Sequence, residues 1–161
     1  MKHTYHYDFH IGRYYIAEAD GAITDISAAP VQNAVEKETP LIVKAASMLR
    51  EYFDGKRKDF AGLPLRPEGT EFQKKVWDAL LTIPYGETRS YKEQAAIVGN
   101  VKACRAVGSA NGRNPISIVI PCHRVIGSDK SLTGYAGGLS VKMSLLELES
   151  AVTNSIVPKI S

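Results

Sequence analysis

Ser90-Tyr-Lys-Glu-Gln-Ala-Ala-Ile-Val-Gly-Asn-Val-Lys-Ala-Cys-Arg-Ala-Val-Gly-Ser-Ala110 carries the reading that decides the second half of this 161-residue chain. Ser90 and Glu93 have the spacing of a capping box, in which each side chain satisfies an orphan N–H of the other's backbone. A short helix follows and stops at Gly99. A second runs from about Val101 to Ala110. Two short helices joined by Gly99-Asn100 fit a helix-turn-helix over about residues 90–110. Its second helix carries Lys102 and Arg105 among the small residues Ala103, Ala106, Gly108 and Ala110. A tight helical hairpin inside a core fits the same pattern, because the motif has no strict code.

Upstream, Thr70-Glu-Phe-Gln73 repeats the capping spacing. Phe72, Val76, Ala79, Leu80 and Ile83 then recur at helical intervals until Pro84. Phe60 to Gly69, with two prolines and two glycines, reads as a linker. Before it, Thr39 and Pro40 open a helix carrying Leu41, Ala45, Met48, Leu49, Tyr52 and Phe53, closed at Asp54-Gly55. The first residues change period. Tyr5, Tyr7, Phe9 and Ile11 alternate with polar neighbours, as in a half-buried strand. Arg13 to Ala19 and Ala22 to Ser27 flank the hairpin dipeptide Asp20-Gly21.

Downstream, Ile116-Ser-Ile-Val-Ile120 is a β-branched run typical of a buried segment, and it delivers the chain to Pro121-Cys-His-Arg-Val125. After a Gly-rich loop at Gly134-Tyr-Ala-Gly-Gly138, a last helix carries Val141, Leu145 and Leu148, with Glu149 near its end. The expected fold is α+β. A small N-terminal β-sheet domain with a helix (1–63) precedes a mainly α-helical domain containing the helix-turn-helix (70–150), with a fraying tail at 151–161.

Composition excludes disorder: 44% of residues are apolar and 23% charged. Lys+Arg 20 against Asp+Glu 17 gives a net charge of +3, which permits nucleic-acid binding without arguing for it. No apolar run approaches the ~20 residues that span a bilayer, so no membrane partner is expected. Two cysteines, Cys104 and Cys122, in a chain without a basic and apolar leader predict reduced thiols, no disulfide and a cytoplasmic location.

Cys122 beside His123 is the feature with chemistry in it. Only the thiolate is a strong nucleophile, and a thiol near its free pKa of ~8.5 needs a base to take the proton. A carboxylate on the other imidazole nitrogen would fix the tautomer. The dipeptide alone also fits an inert core cysteine with a histidine pointing elsewhere. His3, His6 and His10 read as solvated strand residues, since a zinc site would want more ligands.

Pro121-Cys-His-Arg-Val125, preceded by Ile116 to Ile120 and by Arg105-Ala-Val-Gly108, resembles the signature of the O6-alkylguanine-DNA alkyltransferases, also called methylated-DNA–protein-cysteine methyltransferases. The resemblance runs from about Phe72 to Glu149, roughly half the chain. It implies that Cys122 is the alkyl acceptor, His123 its base acting through a water, and Glu149 the carboxylate that orients His123. Asn114 would tie the helix-turn-helix to the active-site turn. Tyr91 would donate to guanine N3, and Lys142 would stabilise the departing guanine. The backbone N–H of Ala136 would meet O6, with Tyr135 and Val125 also near the substrate. Arg105 would enter the base stack where the damaged nucleotide has rotated out, while Ala103 and Ala106 allow close approach in the minor groove. Arg113 would contact phosphate.

The implied protein is a monomer that repairs double-stranded DNA and is consumed by one transfer, with O4-alkylthymine as a second candidate substrate. No cofactor is implied. Some members hold zinc through N-terminal cysteines and histidines, but the first sixty residues here contain no cysteine, so no metal is expected. Cys104 has no implied role beyond packing. The alkylated form is expected to be less stable, because added groups overpack a tight pocket. The alternatives are a non-catalytic alkylguanine-recognition protein, which Cys122 argues against, a cysteine hydrolase, which leaves Arg105 unexplained, and a helix-turn-helix transcription factor.

Overall fold

A computed structural model describes residues 1–129, 131, 132, 135, 137–153, 159 and 160. The chain forms two compact units: Met1–Glu68 with Pro115–Val119, and Gly69–Asn114 with Ile120–Ser161.

In the first unit four strands, β1 (Lys2–Phe9), β2 (Gly12–Ala19), β3 (Ala22–Ser27) and β4 (Ala34–Glu36), lie in the order β3-β2-β1-β4. Asp20 and Gly21 both take positive φ, 51° and 80°, as the two-residue hairpin turn between β2 and β3 demands. The sheet is antiparallel except for β4, which pairs parallel with β1 and had no sequence pattern to announce it. β1 starts and stops two to three residues before the alternation suggested, and neither of its faces is fully open. Tyr5, Tyr7 and Phe9 pack along one face, while His6 packs against Tyr15 on the other.

Helix α1 (Pro40–Phe53) begins where Thr39 accepts the Ile42 N–H, and it buries Ile42, Ala45, Ala46, Met48, Leu49 and Tyr52. Against it the sheet supplies Tyr14, Ile16, Ile23 and Ile26, an apolar core. Pro115–Val119 joins this unit through Ile26 N–H to the Pro115 carbonyl (2.9 Å) and Ser117 N–H to the Ile26 carbonyl (3.0 Å). The β-branched run there is buried as expected but is not extended. Ile118 has φ +74°, and the segment turns.

The second unit opens with α2 (Glu71–Leu80), whose capping box pairs Thr70 with Gln73. Phe72, assigned to the apolar stripe, is exposed, while Val76, Trp77, Ala79 and Leu80 are buried. The two-residue strand β5 (Arg89–Ser90) leads into α3 (Tyr91–Val98), capped by Ser90 and Glu93 and ended by Gly99 at φ +97°. The partner helix α4 (Cys104–Gly112) starts three residues later than expected. Asn100 holds the intervening chain in a turn, accepting the Lys102 N–H on its side chain and the Ala103 N–H on its carbonyl.

Gln94 and Asn111 exchange two amide hydrogen bonds (2.9 and 2.8 Å) between α3 and α4, and Trp77 Nε1 donates to the Ala110 carbonyl. These buried bonds fix the helix pair on α2. One face of α4 stays open, with Arg105, Ala106, Ser109 and Gly112 exposed, as a hairpin buried in a core would not allow. A 3-10 turn (Cys122–Arg124), β6 (Val125–Ile126), β7 (Ser131–Leu132), α5 (Leu139–Thr153) and β8 (Lys159–Ile160) complete the unit. α5 runs into the stretch expected to fray, and β8 pairs with β7. Among the described residues no helix is long and apolar enough to cross a membrane.

Candidate active site

The turn that presents Cys122 is made by its neighbour. Pro121, at φ −83° and ψ 64°, forms an inverse γ-turn in which Cys122 N–H donates to the Ile120 carbonyl at 2.8 Å. Proline's locked φ suits that geometry. The same carbonyl accepts Nδ2 of Asn114 (2.8 Å), which also donates to Cys122 Sγ at 3.3 Å. Asn114 thus holds both the backbone of the turn and the sulfur.

Cys122 is buried, and burial pushes its thiol above the ordinary value; the Asn114 hydrogen bond and the Lys142 charge work against that rise. Lys142, on α5 and without accessible surface, is pulled down to about 8 by burial, with the Cys122 charge opposing. A buried thiol and a buried amine each lower the cost of ionising the other.

His123 is fully buried, and its Nε2 lies 2.8 Å from Glu149 Oε2. Burial lowers its pKa and keeps it neutral, against the pull of Glu149 and with the help of Arg124 and Lys142. A carboxylate only accepts, so Nε2 carries the proton and Nδ1 is left as an acceptor. Among the described residues Nδ1 has no hydrogen-bond partner, although it is buried.

Glu149 is the hub. Oε1 accepts from Arg124 Nε (2.8 Å) and the Gly86 N–H (3.1 Å), and Oε2 accepts from His123 and from Arg124 Nη2 (2.9 Å). Burial alone would raise its pKa. The His123 and Arg124 interactions outweigh burial and hold it well below the usual carboxylate range. Arg124 also donates from Nη1 to the Ile83 carbonyl (2.7 Å), and its guanidinium lies over the Tyr85 ring. Arg124 lies inside the Pro121–Val125 motif, yet the resemblance assigns it no task; the signal available in the sequence was a cation two residues from the cysteine.

The structure therefore gathers Cys122, His123, Glu149, Asn114 and Lys142. Tyr91 opens α3 directly after Ser90, which pairs with Ile126 in the β5–β6 ladder, and its ring runs past Gly108, where a Cβ would meet it at 3.7 Å. Arg105, Ala106 and Arg113 lie exposed on or at the end of α4, and Ala103 is its half-buried N-cap. Cys104 is a free thiol whose Sγ faces the Val101 carbonyl. Tyr135 is half-buried and its carbonyl accepts the Gly138 N–H. Ala136 lies outside the described residues. Val125 is a core residue of β6, paired with Arg89 of β5 and without accessible surface.

Residues 1–67 match the ribonuclease-like domain of 6-O-methylguanine DNA methyltransferase, and residues 71–151 match its DNA binding domain. The constitutive methylated-DNA–protein-cysteine methyltransferase of Bacillus subtilis is 50% identical over 149 residues, covering 86% of this chain and 90% of that protein. The Methanosarcina barkeri methylated-DNA–protein-cysteine methyltransferase is 63% identical over 106 residues, 66% of each chain. A crystal structure of Mycobacterium tuberculosis OGT in complex with DNA is similar at a TM-score of 0.86 and 44% identity, covering 93% of this chain and 94% of that one.

Proposed function

The chain belongs to the 6-O-methylguanine DNA methyltransferase family, and from that premise we propose that it repairs DNA by moving an alkyl group from guanine O6 to Sγ of Cys122, once per molecule. The observation that carries the assignment of roles is the buried His123–Glu149 pair at 2.8 Å, directly after a cysteine whose sulfur Asn114 already holds.

In the proposed reaction the Cys122 proton passes through a bridging water to Nδ1 of His123, a buried atom that needs a partner. Glu149 stabilises the imidazolium that forms. The thiolate attacks the alkyl carbon in line and a C–S bond replaces the C–O6 bond. The electron pair of the broken bond goes to the guanine, where Tyr91 donates to N3 and the Lys142 charge opposes the growing negative charge. The thioether is stable to every group named here, so the protein is a reagent, and atoms balance without a further reactant.

The target carbon is inaccessible in a stacked duplex, so the nucleotide must rotate out, at a cost of a few kcal/mol of unstacking. The exposed face of α4, with Ala106, Ser109 and Gly112 beside Arg105, suits close approach to a minor groove in which Arg105 fills the gap and Arg113 meets phosphate. One chain carries the nucleophile, its base and the helix pair, which supports action as a monomer, and both cysteines are free thiols, which suits the reducing cytoplasm.

The test is intact mass after mixing with excess duplex DNA carrying O6-methylguanine. A gain of about 14 Da that stops at one equivalent, and is absent in Cys122→Ser, is the expected result. Tight binding to the damaged duplex with no mass change would overturn the reading in favour of recognition without transfer.

A further inference from the structure

Among the described residues Arg124 is the buried charged residue that the reaction just described does not use. It sits within the 3-10 turn between the histidine and β6, its side chain is buried, and all three guanidinium nitrogens are engaged. Two of them grip both oxygens of Glu149, the carboxylate that also receives His123. We propose that Arg124 is a positioning residue that keeps a proton out of the Glu149–His123 pair and so preserves the acceptor at His123 Nδ1. The proposal rests on the reading of His123 as the base.

Counting charges gives the reason. A guanidinium cannot release its proton in a protein, so Arg124 is a permanent cation that balances Glu149 in the interior. Without it, a buried carboxylate would be left uncompensated and would take up a proton. That proton has two places to go. On the imidazole it occupies Nδ1. On the carboxyl it donates to Nε2, and the ring's own proton then moves to Nδ1. Either way Nδ1 stops being an acceptor and the thiol loses its base.

Among the described residues the other charged and titratable groups facing the pair are Lys142 from α5, Tyr85 from the loop after α2, and Cys122 itself. Lys142 bears on the Cys122 thiol. Arg124 is the cation that forks onto Glu149.

The experiment is nitrogen-15 NMR of the histidine side chains in the full chain without DNA, for wild type, Arg124→Gln and Arg124→Lys, from pH 5.5 to 8.5. Single-turnover methyl transfer is measured over the same range. Wild type should show a neutral His123 ring with the proton on Nε2. Arg124→Gln should carry a proton on Nδ1 at pH 7 and transfer about a hundredfold more slowly. That deficit should shrink roughly tenfold per pH unit as the extra proton is removed. Arg124→Lys keeps the charge, and should keep the Nε2 tautomer with a smaller, pH-independent loss.

A deficit in Arg124→Gln that is the same at every pH, with Nδ1 unprotonated, would reduce Arg124 to packing and overturn the proposal. Where the glutamine variant does not fold, the wild-type spectrum decides. A neutral ring with Nε2–H persisting below pH 6 supports the proposal, and a proton on Nδ1 at any pH above 6 overturns it. Because the spectra need no DNA, they test Arg124 separately from the transfer reading, which the mass experiment tests.

Discussion

Arg13 grips Asp8 and Arg124 grips Glu149 with the same fork, Nε and Nη2 on two carboxylate oxygens, at 2.8 and 3.3 Å in the first pair and 2.8 and 2.9 Å in the second. The first fork lies on the surface of the N-terminal unit, with side chains 51% and 69% exposed. The second lies inside the C-terminal unit, at 10% and 1%. Identical chemistry therefore has opposite consequences. In water the charges are already satisfied and the fork adds little. In the interior each charge depends on the other, and removing one strands its partner. Among the described residues the N-terminal unit buries only Thr24 and Thr39 as polar side chains, and every buried charge, His123 included, lies in the C-terminal unit. A core that gives up apolar packing to hold charges is arranged for reactivity, and its neighbour for stability.

The largest effect should follow from breaking the buried fork on its acidic side. Glu149→Gln leaves the Arg124 charge without a counterion and weakens the support of His123. It should destabilise the protein by about 3–5 kcal/mol in urea unfolding and slow methyl transfer of the folded fraction by roughly 10²–10³-fold. An unchanged unfolding midpoint would erase the contrast between the two forks. Next comes a cut in the apolar core. Ile16→Ala, in β2 and without accessible surface, should cost about 2–5 kcal/mol through lost transfer energy and a cavity. The transfer rate per folded molecule should stay unchanged. A slower rate would mean that the N-terminal core does more than hold itself together.

The same contrast governs what the sequence made legible. Thr39, Thr70 and Ser90 announced three helix starts correctly, because a cap is a hydrogen bond across three residues and its partners are neighbours in the chain. Asp20-Gly21 announced its hairpin for the same reason. α4 was placed three residues early, because the Asn100 turn that delays it mimics a helix start. The shape of Ile116 to Ile120 was hidden in a φ value at Ile118 that no isoleucine advertises. At the site, thiol chemistry singled out Cys122 and His123, whereas Glu149 was named through family resemblance, because spacing alone left the carboxylate unidentified. The Arg124–Glu149 pairing spans 25 residues and has no local period, so it emerged only in the folded chain.

A smaller effect, and one of fixed sign, concerns acid. Burial lowers the pKa of His123 in the folded protein, so below the ordinary histidine value of 6.5 the unfolded chain binds a proton that the native state refuses. Glu149, also lowered, adds the same sign below its ordinary value of 4.5. The stability that His123 and Glu149 confer should thus be complete near neutrality and fall on acidification. The slope approaches about 1.4 kcal/mol per pH unit for each proton taken up on unfolding. Urea midpoints from pH 7 to pH 5 should show the decline in wild type and a flatter line in His123→Gln. Parallel lines would place the acid sensitivity elsewhere.

The smallest effect belongs to the exposed fork. Asp8→Asn removes the partner of Arg13 at a position where water replaces every lost contact, and where both side chains recover the rotamer freedom that the pair had restricted. The variant should unfold at the same urea concentration as wild type, in low salt and in 0.5 M salt alike, and should accept one methyl group at the wild-type rate. A midpoint that dropped in low salt and recovered at high salt would run against this, since screening weakens an exposed pair and should narrow any gap between pair and variant by lowering the wild type. Such a result would mean that Arg13 without Asp8 meets repulsion from another cation. The surface fork would then resemble the buried one in kind, holding a charge in place for its neighbours, and burial would no longer be what separates the two.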